Sequence, residues 1–147
     1  SSKSISFEMP FNWEHVEQRL RNNPESIDVL SRLLKRGGEP TATAQLDNGK
    51  IRFDELSEEA PKCSNFSSPE HAELIANRIG AELMDPAVYD SFRGKILFDM
   101  SNLSILKTSK EESELYFSAN FGDAGESFND LFGRHIIGSR IRCSHEV

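Results

Sequence analysis

The chain has 147 residues, of which 37% are hydrophobic and 28% are charged, and this composition is typical of a folded domain rather than a disordered segment. Its formal net charge of −7 repels phosphate backbones, so we do not expect nucleic acid as a partner. No stretch approaches the ~18 consecutive apolar residues of a membrane span, so we expect no membrane partner and a cytoplasmic location. We interpret residues 1–147 as a single globular domain.

The first third of the chain predicts two helices. Trp13, Val16 and Leu20 recur at helical spacing after Asn12, which can cap the helix start. A second helix begins near Pro24 and ends at residue 37, a glycine. Its apolar stripe is expected to face the core and consists of Ile27, Leu30, Leu33 and Leu34.

Residues 37–62 hold the clearest hairpin signal. Threonine and alanine alternate over residues 41–44, and the chain returns over residues 50–53. Asn48 and Gly49 between them predict a two-residue type I′ turn, because both tolerate a positive φ. Residues 62–68 have no hydrophobic period and are expected to form a loop.

Two more helices are predicted in the second half. Pro69 follows the capping residue Ser68 and opens a helix that ends at residue 80, and Pro86 follows Asp85 in the same way and opens one that ends at residue 94. Both helices stop at a glycine. Residues 95–100 and 115–121 are short β-prone runs, which we interpret as strands.

The last part of the chain has weaker signals. Thr108 and Glu111 have the form of a capping box, and residues 128–132 fit either a helical turn or a loop. Residues 137–143 predict a half-exposed strand, with Arg140 and Arg142 on its outer side. The complete pattern predicts an α+β fold in which a mainly antiparallel sheet is covered by three or four helices.

Acidic residues are concentrated after the predicted hairpin. Glu55, Ser57 and Glu59 would share one face if the return strand continued that far. Carboxylates held close together raise each other's pKa or bind a hard cation, so the cluster is a candidate for acid–base chemistry or metal-assisted hydrolysis. The alternative interpretation is a solvated acidic strand end.

Glu39 adds a resemblance to divalent-metal nucleases, in which one acid precedes a hairpin, others lie on it, and a lysine follows. The lysine here is Lys62, which is three residues after Glu59 and beyond a proline, whereas such sites place it two residues after the last acid. The net negative charge also opposes a DNA substrate.

Other catalytic or metal patterns are missing from the sequence. The four histidines lack ligand spacing, and the two cysteines, Cys63 and Cys143, are too far apart to predict a disulfide framework, so we expect free thiols and no structural zinc. No phosphate-binding loop or nucleophile elbow is present, and no cofactor can be assigned.

Two motifs are similar to those of a known family: GGEP at residues 37–40 and acid-x-Ser-x-Glu-x-Pro at residues 55–61. With them, most of the chain resembles an uncharacterised bacterial domain family of unknown function. The family has an aspartate where Glu55 stands, and the spacing before Arg134 differs. The other matching residues are Trp13, Val16, Leu20, Asn23, Pro24, Phe53, Lys62, Gly80, Glu82, Leu83, Tyr89, Thr108, Gly125 or Ala124, Glu126, Ser127, Arg134, Gly138 and Ser139.

The resemblance implies a shared fold and a shared polar site, but no activity. That site would consist of Glu39, Glu55, Ser57, Glu59 and Arg134. With Lys62 added, these are the candidate binding residues. We expect a binding or interaction domain without catalysis, and the alternative is a nuclease-like, metal-dependent hydrolase that uses Glu39, Glu55 and Glu59.

Overall fold

A computed structural model of the chain describes residues 11–66, 69–100, 102, 104–107, 116–117 and 138–147. These residues have an α+β fold, which confirms the predicted class. The helices are α1 (Trp13–Arg21), α2 (Pro24–Lys35), α3 (Pro69–Ile79) and α4 (Pro86–Arg93). The strands are β1 (Pro40–Gln45), β2 (Ile51–Glu55), β3 (Lys62–Phe66), β4 (Glu82–Leu83), β5 (Ile105–Leu106), β6 (Tyr116–Phe117), β7 (Gly138–Arg140) and β8 (Cys143–Glu146).

The predicted helix boundaries are largely confirmed because they depend on local chemistry. The Asn12 side chain accepts a hydrogen bond from the amide of Glu14 (3.1 Å) at the start of α1. At the end of α2, Gly37 has φ +90°, and the amides of residues 37 and 38 bond back to the carbonyls of Leu34 and Leu33, at 3.0 and 3.1 Å. This pattern is a Schellman motif, which needs a left-handed residue at the position of Gly37.

The predicted core face of α2 is partly wrong. Val29 and Leu33 are the buried residues of this helix, whereas Ile27 and Leu34 are exposed. Positions 29 and 33 are one helical turn apart and define a narrower buried stripe, with Leu30 packed partly against it. The apolar pattern alone could not show which flank of the stripe faces solvent.

The starts and ends of α3 and α4 also follow the sequence. Pro69 and Pro86 occupy the first helical positions, and the Asp85 side chain accepts a hydrogen bond from the amide of Ala87 (2.8 Å). Gly80 has φ +94° and ends α3. Ser68, the predicted cap of α3, lies outside the described residues.

Four antiparallel strands form the largest sheet, in the order β1-β2-β8-β4, while β3 pairs with β7 and β5 pairs with β6. The β1–β2 hairpin is confirmed, and its register places Pro40 opposite Glu55 and Gln45 opposite Ile51. β8 lies inside the sheet, between β2 and β4.

The predicted two-residue turn of the hairpin is wrong. Gly49 has φ +85°, but Asn48 is not among the described residues with a positive φ. The amide of Leu46 bonds to the carbonyl of Lys50 (2.8 Å), and the amide of Gly49 bonds to the carbonyl of Leu46 (2.9 Å). These bonds define a three-residue loop that ends in a left-handed glycine, which is the second common hairpin geometry.

Three further predictions about strands and loops are wrong. Residues 62–66 form β3 instead of a loop, because β7 supplies a partner strand. Residues 95–100 are not a strand, although Ile96 and Phe98 are buried. The predicted strand at 137–143 is divided into β7 and β8, with residues 141–142 between them. Thr108 and residues 128–132 lie outside the described residues, and of residues 115–121 only β6 is described.

Among the described residues, three groups of buried apolar side chains form the core. The first joins α2, α3 and β4 around Leu33, Ile75 and Leu83, and the second joins α4 to the following segment around Tyr89 and Phe98. The third packs Val16 of α1 against the β1–β2 hairpin. Within the part of the chain that the structure describes, no helix has both the length and the apolar composition to cross a bilayer.

Candidate functional site

The acidic segment of residues 54–59 begins at the end of β2 and continues as a loop. β2 ends at Glu55, so the expected strand that would align Glu55, Ser57 and Glu59 does not continue. The loop still runs beside the chain at residues 38–39, because the amide of Leu56 bonds to the carbonyl of Glu39 (3.2 Å) and the amide of Ser57 to that of Gly38 (3.0 Å).

Glu55 is fully buried and forms a bidentate ion pair with Arg36. Arg36 donates from Nε to Oε2 (2.9 Å) and from Nη2 to Oε1 (3.1 Å), and the amide of Cys143 donates to Oε1 (2.8 Å). Burial alone would lower the pKa of Arg36, but the hydrogen bonds and charge of Glu55 outweigh it and raise that pKa. The pair connects the end of α2 to β2 and β8.

Gly38 makes this geometry possible. A Cβ at residue 38 would lie 1.8 Å from Oε2 of Glu55, so only glycine fits against the carboxylate. Glu39 follows with φ +55°, a left-handed conformation that is uncommon for a non-glycine residue. Three successive residues of the GGEP motif therefore have separate physical roles. Gly37 ends α2, Gly38 lets the backbone lie against the Glu55 carboxylate, and Glu39 turns the chain into β1.

A second buried charge, Arg142, organises the loop that follows Glu55. Its side chain is fully buried, and its guanidinium carbon lies 4.1 Å from the ring centre of Phe98. Its four hydrogen bonds go to the carbonyls of Glu55 (3.0 Å), Ser57 (2.6 Å) and Glu58 (3.2 Å), and to Oδ1 of Asp99 (3.0 Å). Four of the five N–H groups of Arg142 therefore bind the carbonyls of the loop and the carboxylate of Asp99.

Asp99 is the anion that balances Arg142. It is fully buried, and its Oδ2 accepts hydrogen bonds from the hydroxyls of Tyr89 (2.9 Å) and Ser104 (2.7 Å). Its own amide bonds to the carbonyl of Glu58 (2.8 Å). A buried ion pair with its remaining lone pairs satisfied in this way is a structural unit, since removing either partner leaves an uncompensated charge.

Glu59 fixes the segment after Asp99. Its Oε2 accepts a hydrogen bond from the amide of Met100 (3.0 Å), and its Oε1 accepts from the amide (3.0 Å) and the side chain (3.2 Å) of Asn102. The carboxylate thus ties Met100 and Asn102 to the end of the acidic segment.

The remaining predicted site residues have different surroundings. Ser57 is buried, and its Oγ has no hydrogen-bond partner in the described part of the chain. Lys62 is exposed and lies opposite Arg140 in the β3–β7 pair, and Glu39 is partly exposed. Arg134 lies outside the described residues.

Arg142 holds the backbone carbonyls of Glu55 and Ser57, whereas the carboxylate of Glu55 pairs with Arg36 and that of Glu59 contacts a different segment. Sequence reasoning missed Arg36, Arg142 and Asp99 as members of this network. The predicted position of Arg142 on the outer side of a half-exposed strand was wrong. The side chain is buried, and three carbonyls and a carboxylate replace water as its hydrogen-bond acceptors.

The two thiols beside the network are not activated as nucleophiles. Burial raises the pKa of the Cys143 thiol well above its ordinary value, and burial also raises the pKa of Cys63, partly offset by Arg36 and Arg140. In the described ranges, no three histidine, cysteine, aspartate or glutamate side chains come together in a way that could hold a metal ion.

Comparison with known proteins identifies no family and no relative. No protein-family model, no curated protein and no solved structure matches the chain. The resemblance to an uncharacterised family therefore stays a prediction, and function has to be inferred from the geometry of the chain itself.

Proposed function

We propose that this chain is a binding or interaction domain without catalysis, in which the acidic segment of residues 54–59 is a support for an exposed apolar surface. The acid–base and metal chemistry expected of this segment needs carboxylate lone pairs that are open to a ligand. The lone pairs of Glu55 and Glu59 instead accept hydrogen bonds from a guanidinium and from backbone amides.

The observation that carries this proposal is the segment of residues 96–100, which we call the anchored segment. Ile96, Phe98 and Asp99 of this segment are buried, whereas Leu97 and Met100 are 69% and 59% exposed. The two exposed side chains lie on one short segment, and methionine is over-used at protein-binding surfaces because its side chain adapts to different partners.

Anchoring matters because an ordered segment loses little conformational entropy when it binds. Asp99 is held by Arg142, and the amide of Met100 is held by Glu59. The predicted site residue Glu59 would thus contribute to binding indirectly, since it positions the backbone that presents Met100.

The metal-dependent hydrolase that uses Glu39, Glu55 and Glu59 is the alternative function. It predicts that millimolar Mg²⁺, Mn²⁺ or Ca²⁺ raises the melting temperature of the wild type and not that of a Glu39→Gln variant, since ions that bind the folded state stabilise it. The interaction domain predicts no difference between the two proteins in any of these ions.

A binding experiment tests the interaction surface. The wild type, a Leu97→Ser/Met100→Ser double variant and a Leu34→Ser control would each be immobilised and exposed to a lysate of the source organism. Leu34 is an exposed leucine on α2 and therefore controls for the general loss of surface hydrophobicity. A protein retained by the wild type and the control would then be purified and its affinity measured for all three.

We expect the double variant to weaken that affinity by about tenfold or more, as the loss of two apolar contacts in an interface implies. An equal affinity for all three proteins would show that Leu97 and Met100 do not contact the bound protein.

Both cysteines are free thiols in the structure, Cys143 buried and Cys63 partly buried. Free thiols are typical of proteins from reducing compartments, which supports the proposed cytoplasmic location.

A further inference from the structure

Met84 and Met100 have opposite surroundings. Met84 is fully buried in the core group that contains Tyr89 and Phe98. Met100 lies in the anchored segment and is 59% exposed. The third methionine of the sequence, Met9, lies outside the described residues. A reagent that attacks thioethers from solvent should therefore distinguish Met100 from Met84.

The exposure of Met100 depends on an unusual backbone conformation at Asp99. Exposed and buried residues alternate over residues 95–98, and a continued alternation would bury residue 100. Asp99 has φ +52°, a left-handed conformation that is uncommon for a residue other than glycine. Asp99 is buried and Met100 is exposed, so the alternation is reversed at this point. Leu97 and Met100, which are three residues apart, are both exposed as a result.

Hydrogen bonds to other parts of the chain hold this conformation. The carboxylate of Asp99 pairs with Arg142 (3.0 Å), and its amide donates to the carbonyl of Glu58 (2.8 Å). The amide of Met100 donates to Oε2 of Glu59 (3.0 Å). None of these bonds uses the side chain of Met100, so a chemical change at its sulfur should leave them intact.

We infer that Met100 is a site of oxidative modification by peroxides, whereas Met84 is protected by the fold. In this reaction the sulfur lone pair attacks one oxygen of hydrogen peroxide, so that an S–O bond forms and the O–O bond breaks. The transferred hydroxyl gives its proton to the departing hydroxide, which becomes water. The thioether is thereby oxidised to a sulfoxide, and the peroxide is reduced.

Oxidation changes the chemistry of the anchored segment. A sulfoxide is polar, so the segment keeps Leu97 and loses Met100 as an exposed apolar side chain. This change disrupts interfaces that use methionine, and methionine sulfoxide reductases reverse it with thiols as the reductant. Control of binding by oxidation rests on the proposed interaction surface, whereas the selectivity for Met100 over Met84 rests on exposure alone.

Peroxide treatment followed by mass spectrometry of the digested protein tests the inference. The protein carries Met9→Leu, so that oxidation is measured only at the two methionines that the structure describes. Hydrogen peroxide should oxidise Met100 at least about tenfold faster than Met84, since a buried sulfur reacts only when the core opens. In concentrated urea the two methionines should react at similar rates, because unfolding exposes both.

Retention on a phenyl matrix measures the effect on the apolar surface. After oxidation, and after dithiothreitol has reduced any oxidised thiol, the Met9→Leu protein should elute earlier than the untreated protein. Methionine sulfoxide reductases should restore its retention. The matched control adds Met100→Leu, because leucine is apolar, similar in volume and inert to peroxide, and its retention should not change. The melting temperature should be the same before and after oxidation, since the bonds that hold Asp99 and the amide of Met100 remain.

Four results would each overturn the inference: equal rates for Met84 and Met100 in the folded protein, unchanged retention of the fully oxidised protein, an equal change in the Met100→Leu control, or a melting temperature that falls on oxidation. These measurements use no partner protein, so such a failure would leave the proposed interaction surface to its own binding experiment. Equal binding by the wild type and the Leu97→Ser/Met100→Ser variant would contradict that surface and leave the oxidation of Met100 unaffected.

Discussion

Gly38→Ala should break the buried ion pair between Arg36 and Glu55, although it adds only one methyl group. The added carbon would lie 1.8 Å from Oε2 and 2.4 Å from Cδ of Glu55, so the carboxylate has to move. That carboxylate is fully buried and accepts three hydrogen bonds, two from Arg36 and one from the amide of Cys143. A shift that clears the methyl group cannot keep all of them.

The expected loss in the free energy of unfolding is about 3–5 kcal/mol, the usual cost of breaking a buried ion pair on one side. For a domain of this size that is a large share of a total stability of roughly 5–15 kcal/mol. The melting temperature should fall by about 10 °C, since each kcal/mol corresponds to a few degrees at this chain length.

Urea unfolding followed by far-UV circular dichroism gives the free energies, and a double-mutant cycle with Glu55→Ala isolates the cause. In the Glu55→Ala background the space beside residue 38 is open, so Gly38→Ala should cost less than about 0.5 kcal/mol. Gly37→Ala is the matched control, because a methyl group there meets no atom within 4 Å. It should cost about 1–2 kcal/mol in both backgrounds, owing to its positive φ alone.

Two results would refute this reasoning. A loss below about 1 kcal/mol for Gly38→Ala would mean that the carboxylate can move without leaving its partners. An equal loss in both backgrounds would mean that the cost comes from the backbone at residue 38 and not from Glu55.

Four other predictions concern separate features of the fold. In urea titrations, Leu33→Ala should lower the free energy of unfolding by about 2–5 kcal/mol, whereas Leu34→Ala, at the exposed neighbouring position of α2, should change it by less than about 0.5 kcal/mol. Similar losses for the two variants would contradict the assigned core face of α2. Gly49→Val should lower the melting temperature because valine is strained at φ +85°, and an unchanged melting curve would contradict the three-residue loop. Arg142→Met should cost about 3–5 kcal/mol by leaving its buried carboxylate partner unpaired, and a neutral result in urea would show that water replaces the guanidinium. Burial lowers the pKa of His145 below its ordinary value of 6.5, so the folded state binds fewer protons than the unfolded chain, and the free energy of unfolding should decrease as the pH falls from 6.5 through the lowered pKa. Urea midpoints measured between about pH 7.5 and 5 should show this decrease, and His145→Gln should flatten it.

The helices could be predicted from the sequence because their starts and stops are decided by neighbouring residues. Asn12, Asp85 and Gly37 act within one turn of the helix that they cap or end, so their effect is visible in the linear order. The existence of the hairpin was predictable from the turn residues, but its register was not, because the loop has three residues instead of the predicted two.

The candidate site could not be predicted in the same way because its partners are distant in sequence. Arg36 and Glu55 are 19 residues apart, and Arg142 and Asp99 are 43 apart. A glutamate at the end of an exposed strand and a glutamate in a buried ion pair can have the same local sequence. The packing of α2 against β8, which brings Arg36 to Glu55, distinguishes them. The pairing of β3 with β7 was missed for the same reason.

The central position of β8 has a consequence for how the domain folds. β8 comes from residues 143–146 but separates β2 from β4, which belong to the first and middle parts of the chain. Until it inserts, one side of β2 and one side of β4 present unpaired amides and carbonyls, a state that favours association between chains. Contacts of such long sequence separation also make folding slow. A ribosome-bound chain that stops before residue 143 should therefore hold formed helices but an incomplete sheet, and chaperone binding at this stage of synthesis should depend more on β2 and β4 than on any helix.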